Sequence, residues 1–134
     1  ETGKSEIIRS VVEGVCYHLR WFLETEEKKT KTSDAIRFVG GGALSKVTCQ
    51  ILSDILGRKI ETVDNPQNVG AVGAAVVVAC GLGLIKDITE AKKLIPATDV
   101  FYPNKANHEK YNKYFNVYKE LYNSNKKNFA ALNG

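Results

Sequence analysis

The chain has 134 residues and a mass of 14.8 kDa, with 43% hydrophobic and 25% charged residues, a length and balance that suggest at most one compact domain and exclude wholesale disorder. No apolar run approaches the roughly 18 residues of a membrane span; the longest, from Ala71 to Ile85, is interrupted by Gly73, Gly81 and Gly83. The net charge is +4, and all of the excess falls from Lys86 onward, where nine lysines face five acids and no arginine occurs. A nucleic-acid footprint would gather Arg as well as Lys on one face, so the expectation is a solvated lysine-rich surface and no nucleic-acid partner.

The first segment places Ile7, Ile8, Val11, Val12, Val15, Leu19, Phe22 and Leu23 at three- and four-residue steps, which predicts a helix with that stripe as its apolar face. Ser5 is the expected cap, and the charged run from Glu24 to Ser33 is the expected exposed loop. Ala35 to Val39 is short and β-prone and runs into Gly40-Gly41-Gly42, a buried strand entering a tight turn. Ser45 then caps a second helix with Val47, Ile51, Leu52, Ile55 and Leu56 on its apolar face, and Gly57 stands where a helix ends.

Lys59 to Val63 alternates as a second strand, and Asp64 to Asn68 reads as a turn whose Asn68 caps a third helix over about 69–81. That helix consists almost entirely of Ala, Val and Gly without one charge, which predicts burial on most sides. Ile95-Pro96 and Val100 to Pro103 are extended, and Asn104 or Asn107 caps a last helix. Its Tyr111, Tyr114, Phe115, Tyr118, Leu121 and Tyr122 form an aromatic stripe expected to pack against the fold. The order helix, strand, helix, strand, helix, then an extended segment and a helix fits a parallel α/β arrangement. Two strands make a marginal sheet, and the absence of Met suggests a trimmed piece of a longer chain.

Cys16, Cys49 and Cys80 are far apart, with no C-x-x-C or Cys/His spacing, so reduced buried thiols are expected and no metal site. His18 and His108 have no partner motif, and Asp54 and Glu13 read as structural carboxylates. The informative stretch is Phe38 to Lys46. Glycines at a strand's C-terminal end allow close backbone approach, and the following helix offers free N–H groups to a phosphate. The same pattern also fits a tight turn with nothing bound. A dinucleotide fingerprint counted from Gly40 would need Gly at position 45, where Ser45 stands, and the G-K-[ST] ending of a Walker A loop is missing.

Several stretches, in order, resemble the FGGY carbohydrate kinases, the group of xylulokinase, gluconokinase and glycerol kinase. Glu6 to Gly14 resembles the end of a family signature, Phe38 to Ala43 the adenosine-binding strand and turn, and Gln50 to Gly57 the helix after it. Gly70 to Ala75 resembles the family's small-residue helix, and Tyr114 to Tyr122 the closing helix of its xylulokinase-like and gluconokinase-like members. The resemblance implies a partial actin-like (ribonuclease H-like) ATPase domain of α/β class. Residues 1–134 would be the C-terminal segment of the family's second domain, with an α/β core part over 1–85 and a tail over 86–134.

It further implies ATP-dependent phosphoryl transfer to a sugar hydroxyl with Mg²⁺, in a cytoplasmic protein. Gly41, Gly42 and Ala43 would line the α-phosphate and ribose, while Lys46, in the place of a glycerol-kinase Asn, and Gln50 would lie near the adenosine. By the same resemblance no catalytic or metal-binding residue is expected in the segment, since base, phosphate loop and sugar contacts would lie upstream. The isolated segment is therefore expected to be inactive, with the rest of the kinase chain, ATP or ADP and a sugar as its partners. A homodimer is possible. Another actin-like ATPase that binds ATP without sugar transfer, and a non-catalytic dimerisation module, are the alternative readings.

Overall fold

The computed structural model describes residues 2–133. Their contacts divide into two compact units, where length alone suggests one: residues 2–32, 54–57 and 103–133, and residues 33–53 with 58–102.

The first unit is built on two long helices, α1 (Lys4–Glu27) and α5 (Lys105–Asn133). Gly3, not Ser5, is the residue before α1, and its carbonyl accepts the Ile7 N–H at 3.3 Å. Ser5 lies inside the helix, and the helix continues three residues past Glu24 before it stops. The expected apolar stripe of α1 is not its buried face. Ile8 is 67% and Phe22 64% exposed, whereas Cys16 and Tyr17 are buried. Aromatic area decides the orientation. Tyr17 packs on Tyr111, Phe115 and Tyr118 with ring centroids 5.5–6.1 Å apart, and Trp21 packs on Tyr118 and Tyr122. Such rings bury more area than Val or Ile and gain further from edge and stacked geometries. The Arg20 guanidinium lies 4.3 Å from the Phe115 ring centre, and Lys119 Nζ lies 4.4 Å from it.

Asn104 caps α5, its Oδ1 accepting the Asn107 N–H at 3.1 Å. The start of α5 is held by Asp54. Asp54 Oδ1 accepts the Asn104 N–H and Oδ2 accepts Asn107 Nδ2, both at 2.8 Å. His108 Nδ1 lies 2.8 Å from the Asp54 carbonyl. Gly57 sits under the same imidazole with φ of +67°; a Cβ there would come within 2.5 Å of the ring. Asp54 and His108 are thus structural, and Glu13 is too, accepting from Arg9 Nε and the Tyr111 hydroxyl at 2.7 Å each.

The second unit carries a three-stranded mixed sheet in the order β1 (Ala35–Arg37), β2 (Lys59–Val63), β3 (Ala97–Phe101). β1 and β2 are parallel, and β3 runs antiparallel to β2. The segment expected to be merely extended is therefore a third strand. It is an outer strand, exposed along most of its length, so no apolar alternation marks it. β1 is shorter than expected, although the Phe38 N–H still bonds the Glu61 carbonyl at 2.9 Å. Ile60 and Val63 of β2 form the core with Cys49, Ile51 and Leu52 of α2 (Lys46–Leu56). This is the α/β class implied by the sequence.

Helix α3 (Val69–Gly81) has the expected bounds but not the expected cap: the Asn68 side chain makes no capping bond. Nor is it buried on most sides. Only Val76 is buried, and Val72, Val77 and Val78 are exposed. A short helix, α4 (Ala91–Leu94), precedes β3. Among the described residues no helix is long and apolar enough to cross a membrane.

Candidate functional site

The site lies where β1 ends. Parallel β1 and β2 both deliver their C-terminal ends to one edge, and each is followed by a tight turn that leads into a helix. After β1, Gly41–Leu44 forms one turn of 3-10 helix, and Ser45 then starts α2. Ser45 is the cap the sequence indicates: its Oγ accepts the Thr48 N–H at 3.2 Å, and its carbonyl accepts the Cys49 N–H at 3.0 Å. The three glycines differ in what they provide. Gly40 alone has a positive φ, +90° with ψ −177°, a region open essentially to glycine. Gly42 does not have a positive φ; a Cβ on it would come within 3.0 Å of the Phe38 ring. A Cβ on Gly41 would meet nothing within 4 Å.

The donors divide in the same way. The Ala43 N–H is occupied by the Gly40 carbonyl at 3.1 Å, and Ala43 is buried, with its own carbonyl accepting the Cys49 thiol at 3.6 Å. The Gly41 and Gly42 N–H groups have no acceptor among the described residues, and both residues are exposed. Two adjacent free amides at the entry to a helix suit an anion.

Lys46 and Gln50, one helical turn apart on α2, are engaged with β3 and the residue after it. Lys46, 77% exposed, pairs with Asp99 at 3.6 Å, a contact open to solvent and weak in energy. Gln50 Nε2 donates to the Tyr102 carbonyl at 2.9 Å. The structure therefore brings Gly41, Gly42 and Ala43 into one turn and turns Lys46 and Gln50 towards the sheet. Burial pushes the Cys49 thiol above its ordinary range and the Asp99 charge adds to the effect, so this cysteine is a packed thiol and not a nucleophile.

Sequence reasoning passed over Pro66. Its carbonyl accepts the Gly40 N–H at 2.8 Å and so joins the two turns. A largely apolar cleft of about 240 Å³ lies beside the second turn, lined by Asp64, Asn65 and Asn68 and walled by Val69, Val72 and Leu94 to Pro96. Among the described residues no group of three or more His, Cys, Asp or Glu side chains is placed to hold a metal ion.

The C-terminal-domain profile of the FGGY family of carbohydrate kinases matches residues 1–82. The chain belongs to that family. It is 32% identical over 130 residues to a xylulose kinase of Staphylococcus epidermidis, covering 96% of this chain and 26% of that protein. Among solved structures, ligand-bound xylulose kinase from Lactobacillus acidophilus superposes with a TM-score of 0.84 at 28% identity, covering 97% of this chain and 26% of the other. Gluconate kinase from Lactobacillus acidophilus follows with a TM-score of 0.80 at 30% identity, covering 92% of this chain and 25% of the other. The chain thus spans about a quarter of the length of the relatives it matches, and its architecture is that of the actin-like ATPase domain of these kinases.

Proposed function

We propose that residues 1–134 form the C-terminal segment of an ATP-dependent sugar kinase of xylulokinase type, and that the Gly40–Leu44 turn binds the nucleotide. The observation that carries the reading is the pair of exposed, unengaged N–H groups on Gly41 and Gly42 at the end of a parallel strand. The family membership supports the chemistry, and xylulose kinases recur among the relatives. The two amides donate to oxygens of the ATP α-phosphate, and the bare backbone lets the ribose approach without meeting a side chain. Held at the α-phosphate, the triphosphate is oriented so that its γ-phosphoryl group points to the sugar hydroxyl, and positioning of this kind supplies much of the rate in phosphoryl transfer. Ala43 is buried within the turn, and Gln50 ties α2 to the Tyr102 carbonyl.

Mg²⁺ would neutralise charge on the transferring phosphates, and its ligands are expected outside this segment, together with the base and the sugar contacts. The 134-residue chain alone is then inactive, and sugar-dependent ADP release from it would contradict the reading.

The decisive experiment is Gly41→Ala in the full-length kinase chain, because the new methyl group enters open space and leaves the turn unstrained. The Kd for ATP should rise about tenfold, because the methyl group stands where ribose and phosphate approach the two amides, while sugar affinity stays constant. Unchanged ATP affinity, or an equal loss for both ligands in a folded protein, refutes a nucleotide role. Gly42→Val is a poorer probe because it also displaces Phe38.

A further inference from the structure

Asn65 is, among the described residues, the one non-glycine residue with positive φ, at φ 46° and ψ 55°. That left-handed conformation is unfavourable for most side chains and easiest for asparagine. It immediately precedes Pro66, which is buried and whose carbonyl accepts the Gly40 N–H at 2.8 Å. A second bond, from the Asn68 N–H to the Asn65 carbonyl at 2.8 Å, closes the turn on itself. The turn after β2 is thus fixed by its own backbone and grips the first residue of the turn after β1.

Gly40 needs such a grip. Its φ of +90° and ψ of −177° lie in a region that glycine can leave at little cost, so nothing intrinsic to the residue keeps Gly41 and Gly42 facing outward. The acceptor that holds it is a carbonyl whose direction depends on Asn65 remaining left-handed. We infer that Asn65 is a positioning residue for nucleotide binding: its left-handed backbone aims the Pro66 carbonyl at Gly40 and so presents the Gly41 and Gly42 amides to the phosphate. This rests on the nucleotide reading of the glycine turn and adds to it a residue that touches no ligand.

The test uses the full-length kinase chain, with ATP and sugar affinities measured separately by titration. Asn65→Val disfavours the left-handed region and should raise the Kd for ATP about tenfold, with the Kd for sugar changed less than twofold. Asn65→Gly, which keeps the conformation and deletes the side chain, should bind ATP within about twofold of the parent. If Asn65→Val does not fold, Asn65→Ala carries the same test with an expected shift of about threefold. A merely structural role would lower both affinities together and would overturn the inference. So would an unchanged ATP affinity in a folded Asn65→Val chain while Gly41→Ala binds ATP weakly, an outcome that leaves the nucleotide reading standing. Should Gly41→Ala itself leave ATP binding unchanged, the nucleotide reading falls, and this inference with it.

Discussion

Replacing Asp54 with alanine should loosen the start of α5 and destabilise the chain by about 3–4 kcal/mol. The figure follows from what the carboxylate holds. It is 3% exposed and accepts two hydrogen bonds, from the Asn104 N–H and from Asn107 Nδ2, both at 2.8 Å. Bonds to a charged group contribute about 1.5–3 kcal/mol each, so losing both costs about 3–6 kcal/mol before water enters. Asn104 is exposed and can recover part of this from solvent, which places the result at the lower end. Against a total stability of about 5–15 kcal/mol the loss is large. The bond between the Asp54 carbonyl and His108 belongs to the main chain and survives the substitution. Asp54→Asn separates acceptor geometry from charge. Its oxygen still serves Asn104, and the Asn107 amide can turn over to offer its own oxygen, so a cost of about 1 kcal/mol is expected. Urea unfolding followed by circular dichroism gives the energies, and hydrogen exchange at the Asn104 amide reads the lost bond directly. An alanine variant within about 0.5 kcal/mol of the parent, or an asparagine variant as damaged as the alanine one, would refute the reasoning.

Gly57→Ala combines a positive φ with a clash on the His108 ring and should cost about 2 kcal/mol or more, visible as a lowered melting temperature; an unchanged melt would contradict it. The Tyr17 hydroxyl is buried without a hydrogen-bond partner among the described residues, so Tyr17→Phe should leave stability at neutral pH unchanged or raise it by about 1 kcal/mol. Burial, with the Glu13 charge adding to it, raises the Tyr17 pKa. The folded chain therefore keeps a proton that the unfolded chain gives up, and stability must fall as pH rises above about 10. Tyr17→Phe should flatten that alkaline loss in pH-dependent melts, and a loss equally steep in both proteins would count against it. The exposed valines of α3 and the outward Ile7, Ile8, Val11 and Phe22 of α1 should make the 134-residue chain bind a hydrophobic dye and self-associate. A monodisperse, dye-silent chain would overturn that expectation.

What could be read from the sequence was local chemistry. Ser45, Gly57 and Asn104 take up their expected places because a side-chain cap or a left-handed C′ residue is decided within a few positions. The limits of α3 were legible for the same reason, since a turn and glycines bracket a uniform run. The inward face of α1 was not. Its stripe of Ile and Val satisfies helical periodicity, yet the face that is buried is chosen by aromatic partners on α5 that no local window contains. β3 escaped notice because an outer strand has little alternation to display. At the site, three successive glycines look alike as letters. Which of them takes positive φ, which has room for a methyl group beside Phe38, and which is held by Pro66 are decided by the folded backbone around the turn.

The unit that contains α1 is discontinuous in the chain, and this governs the order in which it can form. Glu13 and Tyr111 are 98 positions apart, and closing a loop of that length costs about 4 kcal/mol in chain entropy before any contact compensates. During synthesis at about 5–20 residues per second, Tyr17 and Trp21 emerge roughly 5–20 seconds before Tyr111, Phe115 and Tyr118 exist to cover them. Through that interval the nascent helix presents bare aromatic rings, a surface that chaperones hold and aggregates recruit. A chain terminated before residue 111 would lose one wall of the cluster and keep α1 in its nascent, uncovered state.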